Sequence, residues 1–231
     1  MVREPIADSP LSLHNGPMFL SIFDVFKIGI GPSSSHTMGP MTAARRFLDE
    51  LKDGSWPHAA NARPAALTAS LHGSLAFTGI GHGSGRAVIL GLCGQDPKTV
   101  DPDAMDGMIA SVEAGGRVHP QGHQPYRFRP AVDLVFDKRN ALPGHPNGLQ
   151  FAAYDTDGQL LLRRAYYSIG GGFVVSAEEL EALKDASPHQ ADVPYPFADA
   201  KSMLDMAASS GLSIAGMKRA NEEATRSRLA L

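Results

Sequence analysis

A single cysteine, Cys93, occurs in the 231 residues. An internal disulfide framework is therefore excluded, and so is an iron-sulfur cluster held by the chain's own thiolates. Cys93 follows the apolar run Ala87 to Leu92 and reads as a buried thiol, not a ligand or nucleophile. No stretch approaches the ~20 apolar residues of a membrane span. Residues 1–17 lack the apolar segment of a secretory signal, so a cytoplasmic location is the expectation. Charge of one sign is also missing: the net charge is -3 and the Lys and Arg residues are scattered, without the basic stripe that nucleic acid or an anionic membrane requires. His14, His58, His72, His119, His123 and His189 show no metal-ligand spacing such as H-E-x-x-H. Small molecules and protein partners are what remain.

What the chain does have is 43% hydrophobic residues, enough for one sizeable core. Residues 1–17, with three prolines, read as an arm ahead of the fold, which starts near Met18. Met41, Ala44, Phe47, Leu48 and Leu51 recur at helical spacing and predict an amphipathic helix over 38–52. Pro40 fits only a first turn, so this helix should begin just after His36 or Thr37. Alternation over 66–72 predicts a strand with one buried face, and Ala87 to Cys93 a short buried helix entered from a glycine-rich loop. A helix over 101–114 opens at Asp101-Pro102, while 115–130 has no clear period. Strands follow at 131–137, 149–154 and 159–168, the last two joined at Asp155-Thr156-Asp157-Gly158 as an antiparallel hairpin. Helices resume at 176–185, 199–209 and 213–229. The expected class is α+β, a sheet with antiparallel pairs and flanking helices, the last helices forming a connector.

Two glycine-bounded loops carry the chemistry. In Gly29-Ile30-Gly31-Pro32-Ser33-Ser34-Ser35-His36-Thr37-Met38-Gly39-Pro40, hydroxyls and a histidine sit where a helix begins. Unpaired backbone N–H groups and the positive end of the helix dipole meet side-chain donors there, which suits a carboxylate or phosphate. The plain alternative is that Ser35 or Thr37 merely caps the helix. The segment is not a P-loop, since no lysine stands at the required offset. The second loop, Gly73 to Gly85, fails as a dinucleotide fingerprint because Ser84 occupies the last glycine position of G-x-G-x-x-G. It leaves His82 among glycines before a helix, where the dipole would favour the neutral, basic imidazole that a general base needs. His145, in Leu142-Pro143-Gly144-His145-Pro146-Asn147-Gly148, sits in a proline-braced turn; Tyr166 to Phe173 runs into three glycines; Pro194-Tyr195-Pro196-Phe197 is a rigid aromatic turn.

Together these motifs mark a resemblance. From Met18 to Phe197 the chain resembles the β region of bacterial iron-sulfur L-serine dehydratases (L-serine ammonia-lyases), beginning with Phe23-Asp24-Val25-Phe26-Lys27-Ile28 and running on through Gly29 to Thr37. It continues in Gly73-Ser74-Leu75-Ala76, Thr78-Gly79, Gly81-His82, Pro143 with His145 and Asn147-Gly148, Tyr166 to Phe173, and Val193 to Phe197. The resemblance implies conversion of L-serine to pyruvate and ammonia, with a 4Fe-4S cluster in a C-terminal α domain acting as Lewis acid on the substrate hydroxyl. It implies a fold similar to the allosteric substrate-binding domain of some D-3-phosphoglycerate dehydrogenases. By position His82 matches the family's base, His145 a residue that gates the site, and Ser33, Ser34, Ser35, His36 and Thr37 the loop that meets the substrate. The domains so implied are an N-terminal arm (1–17), the substrate-side domain (18–197) and a helical connector (198–231). After His82 the family usually continues with one residue and then Thr-Asp, where this chain has Gly83-Ser84-Gly85. The cluster-bearing α domain is expected as a partner in cis or in trans, this chain being a fragment, a shortened reading frame or one half of a pair, inactive alone. A homodimer is a further expectation. A module that binds a small carboxylate for regulation, or that serves only dimerisation, is the competing class.

Overall fold

The structure, a computed structural model, describes residues 26–54, 56–57, 62–185, 193–197 and 199–229. Two compact units divide the chain, Phe26–Glu181 and a second whose described part runs from Ala182. In the first, helical turns start earlier than the sequence predicts. Ser34–Met38 is a π-helical segment capped by Ser33, whose side chain accepts from the His36 N–H. Both Thr37 N–H and Met38 N–H donate to the Ser33 carbonyl. Helix α1, Gly39–Asp53, continues from it with Pro40 in its first turn, and Gly54 in the left-handed conformation ends it. Its Met41, Ala44, Phe47, Leu48 and Leu51 are all buried, the stripe that the spacing predicts. Burial of each of its large apolar side chains is worth about 1.5–3 kcal/mol relative to exposure, which far exceeds the helix's own propensity.

Strand β1, Ala66–Gly73, leads directly into a short helix α2, Ser74–Thr78, where the sequence reads as loop. Helix α3, Ser84–Leu92, follows a glycine turn and buries Ala87 to Leu92. Cys93, its C-cap, is half-buried, and burial pushes its thiol up to about 11, so it stays protonated. Asp101 caps a 3₁₀ turn at Pro102–Ala104 that opens α4, Met105–Gly115. The aperiodic stretch folds into the two-residue strands β2, Arg117–Val118, and β3, Tyr126–Arg127, and the short helix α5, Pro130–Asp133. Only the second half of the predicted 131–137 strand is extended, as β4, Leu134–Asp137, because Pro130 starts a helical turn first.

Strands β5, Asn147–Tyr154, and β6, Leu160–Gly170, form the predicted hairpin, and β7, Phe173–Ser176, adds a strand that the sequence reading lacks. Gly170, Gly171 and Gly172 all have positive φ and turn β6 back into β7 instead of ending the sheet. The seven strands form one mixed sheet in the order β2-β3-β1-β5-β6-β7, with β4 also on β1. Pairs β1–β5, β5–β6, β6–β7 and β2–β3 are antiparallel; β1–β3 and β1–β4 are parallel. The class is therefore α+β. Helices α1 and α3 share the core with the sheet, and Phe47 stacks on Phe151 at 5.4 Å between ring centroids. Helix α6, Ala177–Asp185, follows β7. In the second unit α7, Ala200–Ser210, starts at an Asp199 capping box and α8, Ile214–Leu229, buries Asn221, which holds Tyr195 through both backbone groups. Among the described residues no helix is long and apolar enough to cross a membrane.

Candidate functional site

Two segments far apart in sequence meet where α1 and α3 begin. Thr37 Oγ1 donates to the His82 carbonyl at 2.9 Å, and Ser84 Oγ donates to the His36 carbonyl. The serine loop and the glycine turn are thus tied reciprocally, each by a hydroxyl to the other's backbone. Ser84 is fully buried, so this tie is shielded from water. The imidazoles of His36 and His82 lie 4.9 Å apart between centroids, tilted by 42°. His36 Nδ1 is 2.9 Å from Ser35 Oγ, and its Nε2 is 3.2 Å from Ser74 Oγ. A hydrogen-bonded run therefore crosses the site from the serine loop to the start of α2. Burial, and then the neighbouring His82, hold the His36 pKa below its ordinary value.

His82 Nδ1 donates to the Thr78 carbonyl at 2.9 Å. That carbonyl orients the ring in the turn that leads into Ser84-Gly85 at the start of α3. In the uncharged ring Nε2 is then the lone-pair nitrogen, the one a general base would use. Ser33 is the cap, in place of the Ser35 or Thr37 that the sequence offered, and its Oγ lies 3.4 Å from Ser35 Oγ. The backbone N–H groups of Ser34 and Ser35 make no hydrogen bond among the described residues. These donors, with the hydroxyls beside them, can hold an anion. A cavity of about 190 Å³ lies between Gly31-Pro32, Thr37 and His82, with Arg86 at its wall. A larger cavity, about 510 Å³, lies along α3 by Ile89, Glu113 and Arg129 and contains neither histidine.

His145 stands one step away. Its neighbour Pro146 accepts from the Ser74 N–H at 2.8 Å, so its turn abuts the residue that contacts His36. The His145 ring makes no bond to His36 or His82 among the described residues; its Nδ1 accepts from the Asn147 N–H at 3.1 Å and its edge meets Tyr167. Burial holds its pKa below the ordinary value. The structure thus brings Ser33, Ser35, His36, Thr37 and His82 together, with Ser34 between the two loop serines, and places His145 at the border.

Sequence reasoning missed Ser74, Ser84, Asn147 and Ser168. Ser74 and Ser84 lie inside a motif already singled out, but their contacts with His36 depend on the fold. Ser168 Oγ and Asn147 Oδ1 are buried without a hydrogen-bond partner among the described residues, and Asn147 Nδ2 donates to the Ser168 carbonyl. Gly39 is required opposite: a Cβ there would fall 2.0 Å from Ser168 Oγ. Alternating burial in a strand gives no warning of a buried serine whose partner position must be glycine.

Comparison with known proteins adds independent findings. The family model described as serine dehydratase beta chain matches residues 21–179. The chain is 41% identical over 209 residues to an L-serine dehydratase of Streptomyces coelicolor, covering 90% of this chain and 45% of that protein. It is 40% identical over 210 residues to L-serine dehydratase 1 of Escherichia coli, covering 90% and 44%, and 36% identical over 209 residues to an L-serine dehydratase of Mycobacterium bovis. The chain spans about half the length of the curated relatives it matches.

Proposed function

The chain belongs to the serine dehydratase beta chain family, and on that premise we propose that it is the substrate-side part of an L-serine ammonia-lyase, the reaction in which L-serine loses water and then ammonia to give pyruvate. The observation that carries this is the reciprocal tie of the Ser33–Thr37 loop to the His82 turn, which sets the N–H groups of the loop beside the His82 imidazole. In this reading the free N–H groups of Ser34 and Ser35, with the hydroxyls of Ser33 and Ser35, hold the substrate carboxylate. His36 and Thr37 shape that loop. His82 Nε2 takes the α-proton, its ring fixed by the Thr78 carbonyl. His145 borders the entrance.

The 4Fe-4S cluster that the family implies does not fit this chain. Its one cysteine is half-buried with a raised pKa, and among the described residues no group of three or more His, Cys, Asp or Glu is placed to hold a metal ion. A cluster-bearing α domain, in cis or in trans, is the partner this proposal requires. The reading treats 18–197 as the substrate-side domain and 198–231 as the connector. It also carries the likeness to the allosteric substrate-binding domain of D-3-phosphoglycerate dehydrogenase, with a homodimer as an accompanying expectation and the mixed sheet flanked by helices as support. Mixing the chain with the cluster-bearing remainder of a related L-serine dehydratase tests it. Pyruvate formation from L-serine that depends on both components is the expected result, and pyruvate from this chain alone would refute the division of labour.

A further inference from the structure

Resting on the substrate reading above, we infer that the backbone fixes opposite tautomers on His82 and His145, giving the site one proton acceptor, His82 Nε2, and one hydrogen-bond donor, His145 Nε2–H. The inference follows from what each backbone partner can do. A carbonyl oxygen only accepts, so the 2.9 Å contact of His82 Nδ1 with Thr78 O places a proton on Nδ1, and in the uncharged ring Nε2 keeps its lone pair. A backbone N–H only donates, so the 3.1 Å contact from Asn147 N to His145 Nδ1 places the lone pair on Nδ1 and the proton on Nε2. His36 receives no such assignment, because its partners Ser35 Oγ and Ser74 Oγ can both give and take.

The His145 arrangement is braced on several sides. Asn147 is the first residue of β5, paired with Gly73, and its side chain is tied to the Ser168 carbonyl. Tyr167 packs at 70° against the His145 ring, at 6.5 Å between centroids, while its hydroxyl donates to the Pro143 carbonyl at 2.6 Å. Protonation of Nδ1 would set two donors face to face and lose the Asn147 bond, so the neutral Nε2–H form is the one this turn supports; the lowered pKa agrees in direction. A second base is thereby ruled out at His145. Its role is to donate to an oxygen of the bound hydroxy acid while His82 accepts a proton, the division of labour that acid-base chemistry at neutral pH requires.

The test uses the intact, uniformly ¹⁵N-labelled chain and long-range ¹H–¹⁵N correlation of its imidazoles above the histidine titration range. His82 should show a protonated, pyrrole-type Nδ1 and a pyridine-type Nε2, and His145 the reverse. The same tautomer on both residues, or the reverse assignment, overturns the inference whatever the chain binds. L-serine is then added: a downfield shift of the His145 Nε2 proton is expected. If the opposite tautomers stand and L-serine leaves both rings unmoved, the tautomer assignment holds and the substrate reading is what fails.

Discussion

Replacing Gly91 by alanine sets helix propensity against packing, and the structure says which wins. Gly91 lies near the end of α3, where it is buried against α1. Propensity alone favours alanine in a helix by about 1 kcal/mol. A Cβ on Gly91, however, would fall 2.4 Å from the Met41 carbonyl oxygen and 2.7 Å from Ala44 Cβ. Ordinary contact begins at 3.4 Å, so α1 and α3 would have to part by about 1 Å. The obstacle is helix backbone, which cannot swing aside as a long side chain can. Overpacking of this kind costs about 1–3 kcal/mol, and a gap of 0.5–1 Å forfeits roughly a quarter to a half of each neighbouring dispersion contact. The net expectation is a loss of about 1–2 kcal/mol in chemical denaturation, with the C-terminal end of α3 pushed away from α1 at Met41 and Ala44. Gly107, in α4, is the control: its Cβ would meet nothing within 4 Å, so Gly107→Ala should gain about 0.5–1 kcal/mol. If Gly91→Ala is as stable as the unsubstituted chain, or more so, the close approach of α1 to α3 is wrong.

Other expectations concern chemistry and pH. In an enzyme assembled from this chain and a cluster-bearing partner, His82→Ala should lower turnover by roughly 10²-fold or more while leaving the cluster spectrum unchanged; near-normal pyruvate formation would move the base role elsewhere. Burial lowers the pKa of both His36 and His145, so the unfolded chain takes up protons near pH ~6.5 that the folded chain refuses. Stability should therefore fall as pH drops through that range and level off below the folded values; a flat denaturation profile from neutral to mildly acidic pH would contradict both assignments. At lower pH Glu179 should add a second decline. Burial raises its pKa but the bidentate ion pair with Arg46 outweighs this and holds it below its ordinary value, so its contribution is lost as pH falls through the folded pKa. Glu179→Gln should remove that step and leave the histidine step in place.

How far the sequence reaches depends on whether a feature is periodic. Helices α1, α4, α6, α7 and α8 and strands β1, β5 and β6 all announce themselves through spacing, caps or proline placement. What escapes has no period of its own. The helical turns start at Ser34, before the expected start after His36 or Thr37: two N–H groups fold back onto the Ser33 carbonyl, and the Ser33 side chain caps the segment by accepting from the His36 N–H. Three consecutive glycines read as the end of a strand, although positive φ at each is what lets β7 return. The two-residue strands β2 and β3 are too short to alternate. For the site, the residue types in the serine loop and the His82 turn are what the sequence offers toward an anion holder and a base, the roles proposed above. Their union was not, because it rests on Ser84, whose burial and bond to the His36 carbonyl exist only once α3 packs on α1. The orientation of His82 was also illegible: it comes from a backbone carbonyl, which every residue has, and sequence cannot single out Thr78.

In the proposed site the Ser33–Thr37 loop and His82 meet the substrate together. A titration of the labelled chain with L-serine, with acetate and sulfate as comparisons, tests it residue by residue. The account predicts weak binding, no tighter than the millimolar range or about -4 kcal/mol, because the loop supplies only the contacts to the carboxylate. The amide resonances of Ser34 and Ser35 should move with all three anions, and the His82 ring with L-serine. Shifts confined to the Asp155–Gly158 turn or to α8, with Ser34, Ser35 and His82 silent, would contradict it.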